Sequence, residues 1–126
     1  MKTAITSEKA PKAVGPYSQA IKVGNLLFLS GMLPIDPTTG NFTSDKATEQ
    51  TEQVFKNIKA LLEEANSDLS QVVKTSVFLA DMNDFTAMNK VYTKYFTQPY
   101  PARSTIAVKT LPKNALVEIE VIAYSE

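Results

Sequence analysis

The sequence predicts an α+β fold in which two helices lie on one face of a mixed β-sheet, and three observations carry that expectation. Strand and helix signals follow one another in the order ββ(β)αβαββ. Only two segments repeat apolar residues at helical spacing. The chain has 126 residues, a length that suits one hydrophobic core, so residues 1–126 are expected to form a single domain.

The first strand is expected over residues 3–6. A loop over 7–16 follows, carrying Pro11 and the Gly15-Pro16 pair. Residues 18–23 and 26–30 are β-prone and flank Gly24-Asn25, a pair able to take the positive φ of a tight primed turn. After a turn at Pro37-Thr38-Thr39-Gly40, a helix is expected from Ser44, with the Asp45 carboxylate beside the exposed N–H groups of its first turn. Val54, Ile58, Leu61, Leu62 and Ala65 form its stripe, and Asn66 suits a left-handed stop. Residues 72–79 alternate and are rich in β-branched side chains, which predicts a strand. Asp81 to Asp84 offers caps for a second helix whose stripe is Phe85, Met88, Tyr92, Tyr95 and Phe96. Residues 103–109 and 116–124, joined by a turn at Leu111-Pro112-Lys113-Asn114, are expected to close a second hairpin.

Composition narrows the chemistry. Thirteen basic side chains balance thirteen acidic ones, so no global positive field draws nucleic acid or anionic lipid. Cys, His and Trp are absent, which removes disulfides, thiol or imidazole metal sites, Ser-His-Asp triads and histidine acid–base steps. Catalysis would have to run on carboxylates, Lys, Arg, Tyr, hydroxyls, backbone and water. No run reaches the roughly 18 apolar residues of a membrane helix, and residues 1–13 lack the features of a secretory or transit peptide, so a cytoplasmic location is expected.

Along residues 116–124, Val117, Ile119, Val121 and Ala123 fall on one face and suit the helix side of the sheet. Leu116, Glu118, Glu120, Ile122 and Tyr124 fall on the other, a mixture too apolar for a wet surface and too charged for a sealed core. A subunit interface holding some water accommodates it. Arg103 is the only arginine beside twelve lysines. It marks either a place that needs a planar bidentate donor or one structural ion pair. A hairpin register placing Thr105 across from Glu118 would put Arg103 across from Glu120, gathering an Arg, a hydroxyl and carboxylates; the alternative is a cross-strand salt bridge worth under roughly 1 kcal/mol. Tyr17 follows a stiff Gly15-Pro16 turn, and Gly31 after Ser30 lets a backbone or ligand come close.

These residues resemble a known family. Gly15-Pro16-Tyr17-Ser18-Gln19, Ser30-Gly31 followed by Leu33-Pro34, Asp84-Phe85, Asn89, Pro101-Ala102-Arg103-Ser104, Leu111-Pro112 and Val117-Glu118-Ile119-Glu120 resemble the Rid (reactive intermediate deaminase) family over essentially the whole chain. The match is nearest to its RidA branch, the 2-iminobutanoate/2-iminopropanoate deaminases. The resemblance implies a chorismate-mutase-like subunit, a homotrimer with clefts between neighbouring subunits, and neither metal nor organic cofactor. It implies hydrolysis of short 2-enamino or 2-imino acids to 2-keto acids and ammonia. Arg103 would grip the substrate carboxylate, helped by the backbone at Thr105, and Glu118 would hold or activate the water. Tyr17, Ser30, Gly31 and Asn89 would shape the cleft, while Glu120 would be structural. Thr105 stands where many members carry Cys, and Met32 where Gln is common. The runner-up is a non-catalytic keto-acid-binding or regulatory protein of the same shape. RNA cleavage would want a basic patch that this composition does not supply. Small-molecule ligands are expected, without nucleic-acid or membrane partners.

Overall fold

In the computed structural model, which describes residues 1–126, the alternating segments become six strands of one sheet. They are β1 (Thr3–Ile5), β2 (Ala20–Val23), β3 (Leu26–Leu29), β4 (Val72–Leu79), β5 (Ala102–Ala107) and β6 (Val117–Tyr124). Helix α1 (Ala47–Glu64) precedes β4, and α2 (Phe85–Tyr95) joins β4 to β5. The order across the sheet is β1-β2-β3-β6-β4-β5. Only the β4–β5 pair is parallel, so the sheet is mixed as the sequence predicts.

The β2–β3 hairpin closes at the expected pair: Val23 meets Leu26, and Gly24 takes φ 56°. A Cβ at Gly24 would touch nothing, so backbone conformation rather than space favours glycine there. Helix α1 starts later than expected. Ser44 Oγ accepts the Lys46 N–H at 3.0 Å and the Ser44 carbonyl accepts the Gln50 side-chain amide at 2.9 Å. That serine is thereby spent on a turn, Lys46 becomes the N-cap, and Glu49 rather than Asp45 is the carboxylate of the first turn. Asn66 takes φ 59° just past the helix, as its position predicts.

The predicted stripe of α1 is the core. Val54, Ile58, Leu61 and Leu62 are wholly buried, as are Val117, Ile119 and Ala123 of β6. Burial of each large side chain contributes about 1.5–3 kcal/mol. The two helices meet at Phe55, whose ring stacks on Tyr95 at 4.8 Å and meets Tyr92 and Phe96 edge-on at 5.8 and 5.5 Å. Most of the α2 aromatic stripe is thus packing.

The second hairpin does not form. Strand β4 lies between β5 and β6, pairing parallel with the first and antiparallel with the second. Arg103 stands beside Thr75 and Thr105 beside Val77, while Phe78 stands beside Glu118 and Ser76 beside Glu120. The expected Thr105–Glu118 and Arg103–Glu120 registers are therefore replaced. The physical reason is the β4–α2–β5 crossover, which returns the chain in the direction of β4 and seats it at the free edge. Side chains in one row share a face, so Arg103 and Thr105 lie on the helix side with Thr75 and Val77, and Glu118 and Glu120 lie on the opposite side. That opposite face leaves Leu26, Phe28 and Ile106 exposed next to the carboxylates.

Candidate active site

Two clusters of functional side chains emerge, one on each side of the sheet. The first is built around Arg103. Its guanidinium lies over the Tyr92 ring at 4.6 Å and near the Phe85 ring at 5.5 Å, both on α2. Its Nη1 donates to Asn89 Oδ1 at 2.7 Å. Asn89 sits one turn after Phe85 and three residues before Tyr92, so a single helical face supplies both the stacking surface and the acceptor. The Tyr92 hydroxyl is itself paired with Thr75 Oγ1 at 2.8 Å. Burial pushes the Tyr92 phenol up, against the lowering effects of Thr75 and Arg103.

With one N–H committed to Asn89, the planar fork retains further donors, and a guanidinium fork suits a carboxylate. Arg103, Asn89 and Tyr92 line an open cleft of about 480 Å³ together with Thr93, Tyr100 and Pro101. Thr105 is two residues along the same face, and its hydroxyl oxygen is buried without a hydrogen-bond partner.

The second cluster is built on the turn after β3. Ser30 is fixed by two bonds, its N–H to the Gln19 carbonyl at 3.0 Å and its Oγ to the Ser18 carbonyl at 2.7 Å. The buried Gln19 side chain accepts the Ser7 N–H at 2.7 Å and donates to the Pro11 carbonyl at 2.7 Å. One amide thereby ties the long N-terminal loop to the sheet. Tyr17 stands on that loop, over half exposed, with its hydroxyl accepting the Val14 N–H at 3.3 Å. Tyr17, Ser30 and Gly31 line one shallow cleft. Glu118 packs directly against Gly31. Its carboxyl pKa is raised, first by burial and then by the neighbouring Glu120 charge.

All six expected ligand-contacting positions thus fall in two groups. Arg103, Asn89 and Thr105 belong to the helix side; Tyr17, Ser30 and Gly31 form the other group with Glu118. Within one chain the register keeps Arg103 and Glu118 on opposite faces. The sequence reading missed Tyr92 and Phe85 as the platform under Arg103, because a stripe at helical spacing signals only packing. It also gave Gln19 no role; nothing in the local pattern distinguishes a loop-tying glutamine from a solvated one.

Residues 7–125 match the family described as Endoribonuclease L-PSP, and the chain belongs to this family, the Rid family. A RutC family protein of Pyrococcus abyssi is 54% identical over 125 residues, covering 99% of this chain and 98% of that one. The chloroplastic Reactive Intermediate Deaminase A of Arabidopsis thaliana is 54% identical over 122 residues, which are 97% of this chain and 65% of the plant protein. Among solved structures, RidA of the Antarctic bacterium Psychrobacter superposes with a TM-score of 0.93 at 48% identity, covering 97% of this chain and 98% of its own. TdcF of Escherichia coli with bound serine gives 0.92 at 36% identity over 98% and 99%. No helix of this chain is long and apolar enough to cross a membrane.

Proposed function

We propose that this protein hydrolyses short 2-imino acids, and their 2-enamino tautomers, to 2-keto acids and ammonia. 2-Iminobutanoate and 2-iminopropanoate are the expected substrates. The observation that carries this reading is the Arg103 clamp, a guanidinium stacked on Tyr92 and tied at one nitrogen to Asn89. Such a clamp orients a carboxylate in a fixed plane, and a protonated imine beside that carboxylate is already electrophilic.

In the proposed reaction the water oxygen adds to the C=N carbon while Glu118 takes a water proton. The resulting carbinolamine receives that proton on nitrogen, its C–N bond breaks to release ammonia, and the hydroxyl proton passes to Glu118 and on to solvent, returning the proton with which the imine entered and leaving the keto acid. One imine and one water thus give one keto acid and one ammonia. A carboxylate whose pKa is raised is a better base for this step than an exposed one. Tyr17, Ser30 and Gly31 would wall the cleft, and the backbone at Thr105 would add to the carboxylate grip.

Because Arg103 and Glu118 lie on opposite faces of one sheet, both reach one substrate only if neighbouring copies each supply half. We propose a homotrimer in which the Glu118 face of one Rid domain meets the Arg103 edge of the next. The exposed Leu26, Phe28 and Ile106 beside the carboxylates support burial of that face against a second copy. The Arabidopsis relative named as a reactive intermediate deaminase supports the activity.

Binding without turnover is the second reading, favoured by the serine held in TdcF, since the clamp alone suffices for an α-amino or α-keto carboxylate. A coupled assay separates them: threonine and a dehydratase generate 2-iminobutanoate, and semicarbazide traps it. Catalytic amounts of this protein should suppress trapping. Unchanged trapping would leave only the binding reading.

A further inference from the structure

We infer that Gly31 is a positioning residue for Glu118: the side chain it lacks leaves the space in which the Glu118 carboxylate lies. This deepens the proposed function and rests on it for its kinetic test, though not for its structural one. A Cβ built on Gly31 would collide with Glu118 Oε2 and come within 2.9 Å of Cδ and 3.2 Å of Cγ. The three nearest atoms all belong to Glu118. Gly31 has no positive φ, unlike Gly15, Gly24 and Gly40, so its φ does not itself demand glycine. The tightest constraint at position 31 is therefore one of space, imposed by the Glu118 side chain.

Neither backbone can retreat. On one side of Gly31, the Ser30 N–H is held by the Gln19 carbonyl at 3.0 Å. On the other, Met32 exchanges two bonds with Ile119, at 2.7 and 3.2 Å. Glu118 is fixed in β6 beside Phe78 of β4. A methyl at position 31 would therefore move the nearest flexible group, the Glu118 carboxylate, out of its partly buried seat.

The charge environment of that seat is simple. Glu120, two residues along the same strand and face, acts on Glu118. Phe78 on β4 and Ile106 on β5 complete its row without charge. Lys74, on the same face of β4, lies nearer Ser104, with its Nζ 3.5 Å from the serine hydroxyl. Gly31 and its neighbours Ser30 and Met32 bring no charge. Removing Glu118 from contact with Gly31 would rehydrate it, and its pKa would fall toward the ordinary range.

The test is Gly31→Ala, made in the wild-type and the Glu118→Gln backgrounds, with kcat and KM for 2-iminobutanoate in each and ¹³C-carboxyl titration of Glu118 in the full-length protein. Misplacing a reacting group by about 1 Å costs up to roughly 100-fold. The expected result is a fall in kcat of about tenfold or more in the wild-type background and less than about twofold in the Glu118→Gln background. The Glu118 titration midpoint should also drop. Equal losses in the two backgrounds would show the methyl acting on the ligand instead and would overturn the inference, as would an unmoved titration midpoint. If the wild type hydrolyses no imine, the proposed function fails while the titration still decides the role of Gly31. Should Gly31→Ala alone fail to fold, Gly31→Ala/Glu118→Ala removes the collision. That pair should melt no lower than Glu118→Ala, and a lower melting temperature would overturn the inference.

Discussion

Replacing Arg103 by Lys keeps the charge and nearly the length of the side chain, yet it should remove most of the activity. Three features of the present geometry disappear with the guanidinium. The plane over Tyr92 at 4.6 Å is lost, as is the 2.7 Å bond that fixes its orientation through Asn89, and so is the second parallel donor to a ligand carboxylate. A charge-assisted hydrogen bond contributes about 1.5–3 kcal/mol, and a lysine retains at best one of the two to the substrate. Loss of the other corresponds to a fall in kcat/KM of about 10–150-fold. Because the ammonium also loses the Asn89 tether, the upper part of that range is expected. The assay is semicarbazide competition with 2-iminobutanoate, run beside light scattering and a melting curve so that folding and assembly are known for the same sample. Lysine keeps the charge and nearly the length at a position that is exposed within the chain, so both should match wild type. Turnover within threefold of wild type would refute the bidentate clamp. A variant that fails to assemble would return Arg103 to the role of a structural tether.

Light scattering of the wild type should give three times the chain mass at micromolar concentration; a monomer would leave each half-site without its complement. Glu118→Gln should retain 2-oxobutanoate binding but hydrolyse the imine more slowly, and Glu120→Gln should be slowed less. Since the Glu120 charge helps raise the Glu118 pKa, removing it should move the acid limb of the pH–rate profile of the remaining base to lower pH. The same raised pKa means that the ionised Glu118 costs folded-state stability above its folded pKa, and this cost vanishes below the ordinary value of 4.5, where both states are protonated. Glu118→Gln should accordingly melt higher than wild type at pH 7 and no higher at pH 4. Calorimetry should detect 2-oxobutanoate binding at millimolar concentration or below. A chelator should leave activity unchanged in this chain without Cys or His; activity lost to chelator and restored by a metal would contradict that.

Much of the fold was legible because its periodicities are strong. Residues 72–79 form a strand with the expected boundaries, and the α1 stripe and the buried face of β6 are the core. The β5 pairing was not legible from neighbouring turn signals. Leu111 to Asn114 does form a turn, and a turn between two β-prone segments suggests a hairpin. The competing signal was the order strand, helix, strand over β4, α2 and β5, a crossover that demands parallel pairing. That one choice of partner moves Arg103 to the helix side and separates the expected site residues into two clusters on opposite faces. Their supporting residues were less legible still. The aromatic platform of Arg103 is built by Tyr92 and Phe85, which spacing reads as packing. The contact of Gly31 with Glu118 joins residues 87 positions apart on adjacent backbone segments, and no local pattern reports it.

Subunit mixing tests the shared cleft most directly. Arg103→Ala and Glu118→Gln chains, each strongly impaired alone, can be co-expressed in equal amounts and the whole random population of trimers assayed. If every cleft takes Arg103 from one subunit and Glu118 from its neighbour, one cleft in four pairs an intact Arg103 with an intact Glu118, and about one quarter of wild-type activity should return. A mixed population as impaired as either parent would contradict the account, because it would show that both residues must come from the same chain.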